Sequence, residues 1–198
     1  MADCTKKTSH WLGLALVAGM ALCGVDGSWA AGPDAWQQLL ADGVKAREAA
    51  HYAEAEQLLQ RALREAEQVG PNDARVAAAA NNLGLLYHDQ GRLQEAQSLY
   101  TRALAIWEQH LGPEHEDVAV ALNNLAEIAH AEGDWARAEP LYERVLAIER
   151  KVLGAAHPDV AISLNNLAEL YRKQGRETAA ESMYHLALIL MEEAHGTD

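Results

Sequence analysis

The chain has 198 residues, 49% of them apolar, and its 16 basic against 29 acidic side chains give a net charge of −13. That apolar share is too high for a disordered polar chain, and the negative balance disfavours nucleic acid and anionic membrane surfaces, which carry the same sign. Both cysteines, Cys4 and Cys23, fall within the first 23 residues, so the rest has no disulfide framework or thiol nucleophile, a distribution compatible with an oxidising compartment.

The chain opens with Lys6 and Lys7, an uncharged apolar run over residues 12–22, and then Ser28-Trp29-Ala30, which is small at both ends. This order is the layout of a secretory signal peptide over residues 1–30, cleaved after Ala30, because the apolar run falls short of the roughly 20 residues that span a bilayer. An uncleaved anchor is one competing reading. Lipid attachment at Cys23 is another, although Leu22 fills the preceding site where lipoprotein patterns have a small residue. Loss of residues 1–30 removes both cysteines and two charges of each sign, leaving the balance unchanged. The expected location is periplasmic or secreted, with no membrane insertion of the mature chain.

After a short linker over 31–34, Asp34 is placed to cap a helix over 35–49. The stretch VAVALNNL at 118–125 then sets the organisation. It recurs as VAAAANNL at 76–83 and VAISLNNL at 160–167, with Val76, Val118 and Val160 spaced 42 residues apart. A fixed period of this size marks a repeat array in which each unit is one supersecondary element. Residues 51–55 and 61–63 align with 92–96 and 102–104, so residues 35–68 belong to a first, diverged unit whose Asn pair is replaced by Leu40 and Ala41.

Each later unit has two helical stripes separated by Gly91, Gly133 or Gly175, placed where a helix ends in the left-handed conformation. Leu122, Leu125, Ala126 and Ala129 form one stripe, and Ala138, Leu141, Tyr142, Val145 and Leu146 form the next. Asp117 and Asp159 are expected to cap the helices after the turns at Gly112 and Gly154. Pro140 falls about one turn into a helix, where a slight bend is expected.

Helix pairs divided by glycine, small residues at Ala96, Ala138 and Ala180, and aromatics at Tyr100, Tyr142 and Tyr184 resemble tetratricopeptide repeats. The 42-residue period with LNNLAE and LG-x-x-H-P-D is similar to the long variety found in kinesin light chain. The resemblance covers residues 35–196. It implies an all-α fold, a right-handed superhelical solenoid of antiparallel helix pairs, in four repeats over 35–75, 76–117, 118–159 and 160–198. A protein or extended peptide in a concave groove is the partner it implies, since such repeats serve as binding scaffolds.

Chemistry is sparse by comparison. His110, Glu114, His115, Glu116 and Asp117 are the densest set of metal-ligating residue types, but His157 and Asp159 recur at the positions of His115 and Asp117, so the set follows from a repeated turn. Ser98, Thr101, Ser163 and Ser182 have no nucleophile motif around them, and no phosphate-binding glycine loop occurs. The expectation is a non-catalytic protein without cofactor or metal. Trp107 and Trp135 are expected to pack between helices, and Glu65, Glu67, Glu143 and Arg144 to form the solvated outer face.

The Asn pairs call for a reason, because asparagine is a mediocre helix former and recurs three times at one place. Asn123 and Asn124 fall outside the Leu122 stripe, on a face with Val120 and Glu127. Asn81, Asn82, Asn123, Asn124, Asn165 and Asn166 are the candidate groove residues. One of each pair is expected to lock the stack and the other to line the groove. The second members, Asn82, Asn124 and Asn166, are expected to form a ladder, with Leu85, Glu127 and Glu169 one turn on. In kinesin light chain such asparagines hold the main chain of a cargo peptide; here each rung would meet roughly every third residue of an extended chain. Flanking His88, Asp89, Glu127, His130, Glu169, Arg172 and Lys173 suggest a ligand that is basic in the middle and acidic near the last repeat. Asn81, Asn123 and Asn165 stand where the carboxylate-clamp lysine of chaperone-binding relatives is expected, which disfavours an acidic chaperone tail. A competing reading is a self-assembling subunit that stacks through a last helix carrying Leu188, Ile189, Leu190 and Met191.

Overall fold

Every apolar stripe of the repeats closes into a helix, and the described part of this computed structural model, residues 35–195, holds eight helices and no strand. They are α1 (Ala35–Glu48), α2 (Tyr52–Val69), α3 (Ala74–Asp89), α4 (Leu93–Leu111), α5 (Glu116–Ala131), α6 (Trp135–Val152), α7 (Pro158–Lys173) and α8 (Glu177–His195). The leader read over 1–30, the 31–34 linker with capping Asp34, and residues 196–198 lie outside the described residues. The chain divides into two compact units, one ending at Arg92 and one beginning at Leu93.

In the first unit α1 and α2 pack as a pair whose approach depends on Gly43: a methyl group there would stand 2.7 Å from Leu59 Cγ. α3 lies against α2, with residues 76–80 buried. Arg92 closes the unit. Its guanidinium lies 3.7 Å above the Tyr87 ring and 3.1 Å from Glu56 Oε1, and the Tyr87 hydroxyl donates to the same carboxylate oxygen at 3.1 Å. Arg47 of α1 pairs with Asp89 of α3 at 2.9 Å.

In the second unit α5 packs on both α4 and α6, and α7 on both α6 and α8. Enclosure on two sides corrects the simple stripe reading: α5 is buried almost continuously from Val118 to Ala129, with Val120 and Glu127 left half-buried, so Asn123 and Asn124 are enclosed as well. Ala126, Ala129, Ala138, Tyr142, Leu146, Leu164 and Leu167 meet in one core with Ala180, Ala187 and Leu190 of α8. The Arg–Tyr closure recurs at the last repeat, where Arg176 sits 3.9 Å above Tyr171 and 2.5 Å from Glu139. At the equivalent positions of α5 and its turn stand Ala129 and Asp134, so that junction lacks the Arg–Tyr stack, and Arg137 reaches Gln97 there at 3.4 Å. Trp107 has no exposed surface, as expected, whereas Trp135, at the N-terminus of α6 with little packed over it, is 36% exposed. Glu65 and Glu143 are exposed; Arg144 instead reaches Glu108 at 2.6 Å and the Pro113 carbonyl at 3.2 Å.

The turns follow the repeat, with two departures from expectation. Gly91, Gly133 and Gly175 have φ of +74°, +77° and +75°, and the following amides of Arg92, Asp134 and Arg176 return to the carbonyls of Tyr87, Ala129 and Tyr171. The diverged first repeat makes the same closure from His51 to the Ala46 carbonyl, but its left-handed residue is Ala50, with φ +58°. The second departure corrects the caps. His115 and His157, not Asp117 and Asp159, stand at the N-caps, and each imidazole Nδ1 accepts the amide hydrogen of the Asp two residues on, at 3.2 Å. Asp73 holds the equivalent place in α3 and accepts from Arg75. The aspartates thus sit in the first helical turn, where a carboxylate favours the positive end of the helix dipole. Burial nevertheless pushes the Asp117 carboxyl above its ordinary range, with His115 opposing that shift. α6 runs without interruption through Pro140.

Ala50→Gly relieves a left-handed alanine and is expected to stabilise the protein by about 1 kcal/mol in urea unfolding. His115→Ala is expected to cost about 1 kcal/mol, while His115→Asp, which installs the cap residue of α3, retains most of that stability.

Candidate functional site

The predicted site residues divide between the two units. On α3 in the first, Asn81 and Asn82 are buried, and Asn82 Nδ2 donates to the Ala78 carbonyl at 2.9 Å, one turn back in its own helix. His88 is half-buried and Asp89 is the partner of Arg47.

The second unit brings seven of the predicted residues together on α5 and α7. Asn166 Nδ2 donates to Asn123 Oδ1 at 3.4 Å, and Asn123 Nδ2 donates to Glu127 Oε1 at 2.9 Å. The amide contact therefore joins the second Asn of α7 to the first Asn of α5. Asn124, expected on the ladder, is 2% exposed, while Asn165 and Asn166 are half-buried. One turn on, Glu169 binds Arg172 through both carboxylate oxygens at 2.5 and 2.9 Å, accepts from the Tyr184 hydroxyl at 3.0 Å, and lies 3.8 Å from Lys173 Nζ. The Arg172 hydrogen bonds hold the Glu169 carboxyl below its ordinary range.

His130 of α5 belongs to the same field. Burial depresses its imidazole below the ordinary value, the Glu169 charge opposes that shift, and Lys173 adds to it. Tyr142 underlies the surface; burial, and then the Glu127 charge, push its phenol well above the ordinary range. The face therefore runs from neutral amides at Asn123 and Asn166, past acidic Glu127, to the mixed group of His130, Glu169, Arg172 and Lys173. Amides that both donate and accept suit a peptide main chain, and the flanking charges suit its side chains.

Two residues escaped the sequence reading. Tyr184 was noted only as a repeat aromatic, yet its hydroxyl orients Glu169. Glu149 of α6 is partly buried, receives a 2.5 Å hydrogen bond from the Ser163 hydroxyl of α7, and is pushed up to about 7, chiefly by burial. One repeat earlier the same positions hold Trp107 and Ala121, both fully buried. Comparison across repeats was the available signal, since a lone Glu in an exposed-looking helix carries none. Among the described residues no group of three or more His, Cys, Asp or Glu could hold a metal ion, and no helix is long and apolar enough to cross a membrane.

This helical grammar coincides with a known family. A tetratricopeptide repeat family model matches residues 46–109, 75–148 and 117–193, and the chain belongs to the tetratricopeptide repeat family. No curated protein matches it significantly in sequence. Among solved structures it is similar to BtubC (BKLC) from P. vanneervenii, with TM-score 0.76 and 23% identity over 82% of this chain and 65% of that one. The chain thus spans slightly less than two thirds of BtubC. It is also similar to a structure described as Podosopora anserina kinesin light chain with nearly identical TPR-like repeats, with TM-score 0.67 and 24% identity over 82% of this chain and 78% of that one. A third likeness is to MamA, with TM-score 0.63 and 19% identity over 83% and 82% of the two chains. At these identities the likeness is one of fold: an all-α helical repeat array.

The raised Glu149 carboxyl makes stability depend on pH. Its folded value, about 7, lies above the ordinary 4.5, so the folded state takes up the proton first. The neutral form's advantage is complete below about pH 4.5 and is lost as pH rises through 7. Discounted for partial exposure, the loss is roughly 1–2 kcal/mol. Thermal unfolding at pH 5 and pH 8 is expected to show it, and Glu149→Gln, which keeps an acceptor for Ser163, is expected to remove it.

Proposed function

We propose that this chain is an exported scaffold that holds an extended segment of a protein partner across the α5–α7 face. Tetratricopeptide arrays are scaffolds for protein interaction, and the observation that carries the reading is the contact of Asn123 with Asn166, continuous with Glu127, His130 and Glu169. These asparagines bind main chain, and Glu127 selects a basic residue beside them. An acidic group further along competes with Glu169 for Arg172 and Lys173. Main-chain capture of this kind gives affinity with little sequence preference, so selectivity rests on the charged residues. The leader over 1–30 directs export to the periplasm or the medium, where a chain without cysteine has no thiol to oxidise.

Two measurements test this. A partner recovered from the exported fraction is titrated with the native protein and with the Asn123→Ala, Asn166→Ala double variant; each lost hydrogen bond is expected to weaken binding by about 0.5–1.5 kcal/mol. Unchanged affinity in a folded variant contradicts the proposed face. N-terminal sequencing of the exported protein is expected to begin at Ala31, and Met1 or a lipidated Cys23 contradicts the export reading.

A further inference from the structure

Leu186, Leu188 and Ile189 of α8 are 36%, 53% and 37% exposed, although Ala187 and Leu190 beside them are buried in the core. Two of the three break the repeat's own pattern. The position of Leu186 holds Arg61, Arg102 and Arg144 in the other three repeats, and that of Ile189 holds Arg64, Ala105 and Ala147. Leu188 keeps the repeat's leucine, but its equivalent Leu146 is 8% exposed within the core shared with α7. Leu186 and Ile189 thus put large apolar side chains at positions that the other repeats leave on the solvated outer side, and an exposed apolar patch of this kind marks an interaction site.

The face of α1 that corresponds to the packed side of α3, α5 and α7 has changed the opposite way. Gln38 stands where they carry Ala79, Ala121 and Ser163, and Asp42 where they carry Leu83, Leu125 and Leu167. Gln38 Nε2 donates to both Asp42 oxygens at 2.9 Å. Stacking copies head to tail, α1 of one on α8 of the next, would bury this carboxylate against Leu188 without a countercharge, which is costly, and would leave Leu186 and Ile189 uncovered, as their equivalents are where a repeat follows. A face that pairs with itself avoids that cost.

We infer that α8 is the contact surface for a second copy of this chain, packed antiparallel against its own counterpart about a two-fold axis. Such an interface is isologous: whatever residue i meets on the other copy, it meets reciprocally. With Leu186 opposite Ile189 of the second copy, His185 falls within one turn of that copy's Glu192 and Glu193, and the reciprocal contact repeats across the axis. All three side chains are exposed and free to turn toward the partner helix. A parallel pairing would instead set Glu192 and Glu193 against their own copies, a repulsive arrangement. One helix from each side buries less than the roughly 1,200 Å² of a standard interface, so the dimer is weak and reversible. Its dissociation constant is on the order of micromolar.

Sedimentation equilibrium of the purified full chain across the micromolar range tests this. The expected result is a monomer–dimer equilibrium. Leu186→Arg with Ile189→Ala, which restores residues that other repeats carry, is expected to weaken it at least about tenfold with unchanged circular dichroism. His185→Glu, which leaves the apolar contact intact and sets like charges together, is expected to weaken it as well. A monomer at every concentration, growth beyond the dimer, or a dissociation constant that neither variant moves overturns the inference.

Discussion

Close approach of helix to helix is made in this protein by residues with almost no side chain. Ala96, Ala103, Ala121, Ala126, Ala129, Ala138 and Ala168 have no exposed surface, and Gly43 admits Leu59 where a methyl group would collide. Small residues let the first helix of a repeat be covered from two sides, as α5 is by α4 and α6. Most of that helix is then withdrawn from water. What remains partly accessible is narrow, and in the second unit it includes a polar strip of Glu127, His130, Asn166 and Glu169, with the buried Asn123 hydrogen-bonded to two of them. Enclosure by alanine therefore both builds the core and concentrates the amides and charges on one line.

Enclosure also explains why the amides are tied to one another. An amide at a nearly buried position costs about 1–3 kcal/mol if left without a partner, so Asn123 is satisfied by Glu127 and Asn166, and Asn82 by its own helix. The network is made of exchangeable partners. On the function proposed above, a peptide main chain, which offers the same donors and acceptors, would replace the Asn123–Asn166 contact without leaving either amide unpaired.

The repeat period, the helix pairs and the glycine turns were legible because each rests on a local rule: a period of 42, a 3.6-residue stripe, and a left-handed residue after the helix. Other features needed the third dimension. Histidine is not among the usual capping residues, so Asp117 and Asp159 drew the assignment that belongs to His115 and His157. The ladder expected from the second asparagine of each pair gave no hint that the amide contact would join Asn166 to Asn123, the first of its pair, with Asn124 buried beside it. Ala50 gave no sign of its positive φ, because alanine tolerates the left-handed turn only when the surrounding pair of helices imposes it.

Polar residues kept inside an otherwise apolar interface serve either the fold or a ligand, and the two roles differ in what their loss does to stability. A stack held together by its asparagines loses stability when they become apolar; a stack that keeps them for binding gains or is unchanged, since functional residues are commonly held at the expense of stability. The most direct measurement is the unfolding free energy of the Asn123→Leu, Asn166→Leu double variant in urea. Stability equal to or above that of the native protein is predicted, and a loss of more than about 2 kcal/mol would show that these asparagines lock the helices and contradict their assignment to a partner.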